Sequence, residues 1–174
     1  MDNSVVLRPV DEDGVRIVER LTQDPASTGE FAWFGWRADP RQYRRRWAED
    51  GMLGEDGGFL LIVGDEDRLG FVNWRRAART PDGAAWEIGI ALLPDARGHG
   101  YGTKAQRLLV GYLFAHTTAH RIEALTETSN LAEQRALEKA GFTREGVCRG
   151  AGWRDGTWRD GVTYAILRTD PTAP

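Results

Sequence analysis

Gly98, Gly100 and Gly102 alternate with Arg97, His99, Tyr101 and Thr103 in a stretch that follows Leu92-Leu93-Pro94 and leads into an amphipathic run. Glycines at this spacing let a turn curl with its N–H groups aimed into one concavity, and a helix starting there adds the positive end of its dipole. The chemistry this suits is anion binding, phosphate above all. A dinucleotide fingerprint read from Gly98 requires glycine at position 103, where Thr103 stands, and a Walker A loop from Gly98 fails at the same residue. The pattern that fits is R-x-x-G-x-G, from Arg97 to Gly102. The competing reading is of turn glycines only, since the chain has 21 glycines in 174 residues.

Other residues with chemical potential lie outside this loop. Glu87 stands seven residues before Pro94 in a strand-like run, and a carboxylate in a central strand needs a partner. Two readings stay open: an ion pair with Arg75 or Arg76, or a base acting directly or through water. Asn130 and Glu133 are spaced as N-cap and N3 of a capping box. Phe31, Trp33, Phe34 and Trp36 place four aromatics in six residues without periodicity, either as a loop plugging the core or as the wall of a pocket. His99 and His120 read as bystanders, the three histidines give no metal-ligand spacing, and Cys148 reads as a strand residue rather than a nucleophile.

The loop, with a hydrophobic strand before it and a helix after it, resembles the acyl-CoA pyrophosphate loop of the GNAT acetyltransferase superfamily. A second signature agrees: Asn130 followed by a helix ending in Glu138-Lys139-Ala140-Gly141-Phe142. Trp86-Glu87-Ile88-Gly89-Ile90, Gly146-Val147-Cys148-Arg149, Asp160 and Tyr164-Ala165-Ile166-Leu167 are similar to the ribosomal-protein N-terminal acetyltransferase subgroup. The resemblance implies an enzyme that moves an acetyl group from acetyl-CoA to a primary amine by direct attack in a ternary complex. It implies a splayed strand pair whose backbone holds the pantetheine arm, with the Leu92 N–H also facing the thioester oxygen. It assigns the cofactor to Leu92, Arg97, Gly98, His99, Gly100, Tyr101, Gly102, Thr103 and Asn130, catalysis to Glu87 and Leu92, and the acceptor to Trp33, Phe34 and Trp36. Two departures stand out: Leu137 replaces the tyrosine that protonates the departing thiolate in many relatives, and Glu133 replaces a serine frequent in the subgroup. The alternative is a catalytically silent acyl-CoA binding or sensing module on the same fold.

The elements that must position these residues follow from pattern. Val5-Val6-Leu7 reads as a strand, and Asp11 as the N-cap of a helix with Val15, Val18 and Leu21 on one face. Asp24-Pro25 breaks that helix, and a second starts with Asp39 as N-cap and Pro40 at its first position, ends at Gly51 and buries Tyr43 and Trp47. Arg41, Arg44, Arg45 and Arg46 on it read as a solvated face. Phe59 to Val63, Leu69 to Trp74 and Ala85 to Leu93 form an antiparallel meander, turning at Asp65-Glu66-Asp67 and Pro81-Asp82-Gly83. Ala105, Leu108, Leu109, Tyr112, Leu113 and His116 give the buried stripe of a helix after the glycine loop. His120 to Thr128 is a strand, Asn130 to Gly141 a helix, and Phe142 to Trp153 with Trp158 to Leu167 a closing hairpin around Asp155-Gly156. The fold expected is α/β (α+β), GNAT-like: a central mixed sheet with a meander, a splayed pair and a C-terminal hairpin, flanked by about four helices.

At 174 residues the chain fits one domain, residues 1–174, with a flexible tail over 169–174. A balance of 23 basic to 26 acidic residues, net charge −3, argues against a nucleic-acid partner. One cysteine excludes an internal disulfide, the start lacks a signal peptide, and no apolar run approaches the ~18 residues of a membrane span. The expectation is a cytoplasmic protein with no membrane partner, acting on a small-molecule or peptidic amine. A homodimer is compatible with the resemblance.

Overall fold

The computed structural model describes residues 4–36, 39–65, 67–77 and 85–171. After strand β1 (Val6–Pro9), Asp11 accepts the Gly14 N–H at 2.7 Å and opens α1 (Glu12–Gln23), which buries Val15, Val18 and Leu21. Asp24 ends α1 and then caps a short helix, α2 (Pro25–Thr28), with Pro25 at its first position. The sequence reading took this dipeptide only as a break. Helix α3 (Gln42–Asp50) begins two residues later than expected: the Asp39 side chain accepts the Arg41 N–H at 2.9 Å and closes a turn ahead of the helix. Gly51 ends it in the left-handed conformation at φ 63. Its arginines face carboxylates and the surface, Arg44 on Glu19 and Arg45 on Asp39.

A two-residue strand, β2 (Leu53–Gly54), pairs with β3 (Gly57–Gly64), which continues the meander into β4 (Asp67–Ala77) and β5 (Ala85–Leu92). Asp65 adopts φ 45 at the first turn; Glu66 and the expected turn at Pro81-Asp82-Gly83 lie outside the described residues, as do 172–174 of the expected tail. Helix α4 (Tyr101–His116), β6 (Arg121–Glu127), α5 (Leu131–Ala140), β7 (Thr143–Arg154) and β8 (Thr157–Leu167) complete the chain. Asp155 and Gly156 both take positive φ, 50 and 73, as a two-residue hairpin turn requires.

Among the described residues the sheet has eight strands, ordered β1-β3-β4-β5-β6-β8-β7 with β2 on β3, antiparallel except between β5 and β6. Five α-helices flank it, one more than expected. Leu60, Ile62, Val72, Trp74, Trp86, Ile88, Ile122 and Tyr164 pack on α4 and α5, while Phe59, Leu61 and Phe71 on the opposite face pack on α1 and α3. The buried face of α4 differs from the predicted stripe: Gln106, Val110 and Phe114 join Ala105, Leu109 and Leu113, whereas Leu108, Tyr112 and His116 are exposed. Leu108 through Phe114 is apolar almost all round, so periodicity alone does not select the inward face.

Candidate active site

Among the described residues, the parallel pairing of β5 with β6 covers Ala85↔Arg121, Trp86↔Ile122 and Glu87↔Glu123. Beyond Glu87 the strands part, and the sheet opens along the expected splayed pair. The Leu93 N–H donates to the Leu69 carbonyl at 2.9 Å, so strand alternation turns the peptide groups of Ile88, Ile90 and Leu92 toward the opening. The Leu92 carbonyl there accepts from Arg97 Nε at 3.0 Å.

The glycine loop follows a single 3-10 turn, Pro94–Ala96, and opens into α4. Gly98 and Gly100 hold φ of 80 and 82, conformations that suit glycine, and a Cβ on either would project into open space. Among the described residues, no side chain caps the N-terminus of α4. Gly102 lies against β5, its absent Cβ placed 3.7 Å from Leu92 Cδ1 and 3.8 Å from Ile90 Cδ1. His99 and Tyr101 stack at 5.9 Å, and Thr103 sits within the first turn. This open, uncapped cradle beside the splayed strands fits a pyrophosphate with a chain running down the opening. The Arg97 guanidinium instead binds the carbonyls of Ser27 and Thr28, tying the loop to α2.

Two cavities meet in the opening. One, of about 410 Å³, lies between Ile88–Ile90 of β5 and Ala124–Glu127 of β6 and reaches Asn130, Glu133 and Arg159. The other, of about 360 Å³, lies on the α1–α3 side, walled by Trp33, Phe34, Trp36, Tyr43 and Phe71 with Gln42 and Asn73. Ala32, Phe34, Gly89 and Ile90 line both. Trp33 and Trp36 meet edge to face at 5.2 Å, and with Phe34 44% and Trp36 76% exposed the aromatic segment is a pocket wall rather than a core plug. Among the described residues, no charged side chain lines the aromatic cavity.

The predicted site residues divide. Glu87 lines neither cavity; it sits two residues from Gly89 in a cross-strand ion pair with Arg75, at 2.6 Å, the partner role foreseen for it. Leu92 also lies beyond both linings, so the peptide N–H groups that reach the cavity are those of Ile88 and Ile90. Asn130 caps α5, its Oδ1 accepting the Glu133 N–H at 3.3 Å, and its Nδ2 donates to Thr126 Oγ1. The reciprocal half of the capping box is absent: the Asn130 N–H goes to the Glu127 carbonyl, and the Glu133 carboxylate turns to Gln106 of α4. Leu137 is fully buried. Cys148 is exposed on β7, its Sγ 3.3 Å from Thr163 Oγ1.

Sequence reasoning missed Asn73, Glu127 and Arg154 as neighbours of the site, and read Glu133 as a capping residue and a departure from the subgroup. Arg154, 4% exposed, grips both Glu127 oxygens at 2.5 and 2.9 Å and lies over the Phe31 ring at 5.6 Å, joining the hairpin to the aromatic segment. This guanidinium holds the Glu127 carboxyl below the usual carboxylate range. An acidic residue in β6, as in β5, was the available signal.

A sheet that parts beside an uncapped, glycine-built helix N-terminus defines an acyl-CoA-type transferase fold, and the family profile agrees: the Acetyltransferase (GNAT) domain matches residues 4–143, and the chain belongs to this family. Among relatives, the chain is 37% identical over 116 residues to "Probable N-acetyltransferase YjcK" of Bacillus subtilis (strain 168), a match covering 66% of this chain and 61% of that protein. The fold is shared with a spermidine N-acetyltransferase from Vibrio cholerae in complex with CoA and spermine, at TM-score 0.78, 15% identity and coverage of 95% and 96%. It is equally shared with a ribosomal L7/L12 alpha-N-protein acetyltransferase in complex with coenzyme A, at TM-score 0.78, 19% identity and coverage of 95% of each chain. No helix among the described residues is long and apolar enough to cross a membrane.

Proposed function

We propose that this chain is an N-acetyltransferase that takes an acetyl group from acetyl-CoA and places it on a primary amine by direct attack, with both substrates bound. The observation that carries this reading is the meeting of two cavities at Gly89, Ile90 and Phe34. One cavity lies between the parted strands, beside Asn130 and Glu133, and the other is a separate pocket on the α1–α3 side. Two substrates entering from two sides would face each other there, which is the geometry direct transfer needs.

Acetyl-CoA supplies an activated thioester. Gly98 to Thr103 would hold its phosphates, the peptide groups of Ile88 and Ile90 and the Leu92 N–H its arm, and the Ile88 or Ile90 N–H the thioester oxygen as charge gathers on it. This moves the oxyanion donor two or four residues back from Leu92. Trp33, Phe34 and Trp36 would wall the acceptor, and the Asn73 amide would accept from its amine. A lining of aromatic rings and neutral amides favours an amine on an apolar or aromatic body and offers π faces to an alkylammonium. Spermine and a ribosomal protein, named for the structural neighbours, mark the range of amines to try first. For Glu87 the geometry supports the ion pair over the base.

The test is a panel of amines incubated with acetyl-CoA while free thiol is followed. The reading expects thiol release that depends on an amine with an apolar body. Tight CoA binding with no acetylated amine would replace the transferase with an acyl-CoA binding module.

A further inference from the structure

Glu133, in the first turn of α5, lines the cavity between the parted strands, beside Asn130. Its Oε1 accepts from Gln106 Nε2 at 2.5 Å, and Gln106 is 1% exposed with its own Oε1 buried and unpartnered. A half-turn of that amide exchanges its oxygen and nitrogen, so the same side chain can donate to a carboxylate or accept from a carboxylic acid. Glu133 thus has a partner in either protonation state. The other acids at this cavity are engaged: Glu127 with Arg154, and Asp160 Oδ1 with the Gly150 N–H. Gln106 of α4 bonds Glu133 directly, Glu127 of β6 and Arg159 and Asp160 of β8 share the cavity lining with it, and Ile88–Ile90 and Phe31–Phe34 bring no titratable group. No ion pair holds it among the described residues, and burial pushes its carboxyl up to about 7 against the Gln106 hydrogen bond.

We propose that Glu133 is a catalytic residue of the transfer: as the carboxylic acid it donates its proton to the sulfur leaving the acyl carbon. The proposal rests on the transferase reading above. As the N–C bond forms at the acyl carbon, the C–S bond breaks with its electron pair on sulfur. The Glu133 proton passes to that sulfur, giving a thiol and a carboxylate. The carboxylate then takes up, directly or through water, the proton that the new amide nitrogen sheds, and the acid is restored. An ordinary thiol has a pKa of ~8.5, so the transfer runs downhill from this carboxyl. Leu137, one turn further along α5, has no proton to give.

Glu133→Gln keeps the shape and can still accept from Gln106, but it neither ionises nor donates an acid proton. In the protein without ligands, carboxyl NMR of labelled glutamate should find one group titrating near 7 and lost in E133Q; all glutamates titrating below about 5 would overturn the proposal. With acetyl-CoA and an accepted amine, E133Q should lower kcat at least about tenfold while leaving CoA affinity unchanged. The fall in wild-type kcat above about pH 7 should disappear in the variant. Glu133→Asp, which keeps an acid, should recover part of the rate. The E133Q deficit should also shrink when the acetyl donor is a thioester of a more acidic thiol. A fully active E133Q, or a deficit indifferent to thiol acidity, assigns Glu133 to packing and leaves the transferase reading intact. A wild-type protein that acetylates no amine removes that reading instead, whatever the NMR result.

Discussion

The side-chain oxygen of Asn73 lies across Gly89, so close that a Cβ on Gly89 would stand 2.7 Å from it. The two residues are register partners on β4 and β5, at the point where both cavities touch. Gly89→Ala should therefore displace the Asn73 amide, raise the acceptor KM several-fold and leave CoA affinity as it was. Asn73→Ala should do the same, and the double variant should be no worse than either alone, since one displacement underlies both. Additive losses in steady-state kinetics would separate the two residues.

Gly100→Val tests the cradle. At φ 82 a β-branched residue is strained, and its side chain would project into the concavity that the loop leaves open. Calorimetry should find CoA affinity at least about tenfold weaker in a protein that still folds, as expected where backbone N–H groups make the contacts. Unchanged affinity would take the phosphates elsewhere.

Trp33→Ala and Trp36→Ala should raise the acceptor KM with little change in the constant for acetyl-CoA, because both rings wall only the aromatic cavity. A parallel loss of both constants would show instead that the segment shapes the whole opening.

Glu87→Gln should change kcat/KM by less than about threefold, since an exposed ion pair contributes little and the carboxylate stands outside both cavities. A loss of tenfold or more at about pH 7, shrinking as the pH rises, would return Glu87 to the role of base.

Stability should also report on Glu133. Its folded carboxyl titrates near 7, above the ordinary 4.5, so the fold favours the protonated form. That contribution is complete below about pH 4.5 and is lost as the pH climbs through about 7. Asp11, Asp24, Asp39 and Glu127 are shifted downward and act at the acid end, in wild type and E133Q alike. The thermal midpoint of E133Q should therefore gain on wild type between about pH 5 and pH 8. A constant difference across that range would mean that Glu133 titrates as an ordinary surface acid.

What could be read from the sequence was local. Gly98 to Gly102, Asp11, Gly141 and Asp155-Gly156 each answer a demand of the backbone within a few residues, and each stands where expected. The aromatic segment was legible as an anomaly, and its wall position needed the sheet beneath it. Glu133 turning to Gln106 and Arg154 gripping Glu127 both span 27 residues, and no periodicity encodes such contacts. The face of α4 was lost for the opposite reason: too many apolar residues, not too few, left its orientation to the tertiary packing.

Among the described residues, three rungs between β5 and β6 join the backbone ladder of residues 6–92 to that of residues 121–167. Each half-sheet is thus a contiguous stretch of chain, and one core under α4 and α5 packs residues of both. Such a seam is where a cooperative structure divides into separate units of opening and closing. A ligand lying along it and bonding to Ile88, Ile90 and Leu92 would stand in for a missing strand. The co-substrate would then be a temporary architectural member, and each turnover would remove and replace a beam of the protein that performs it.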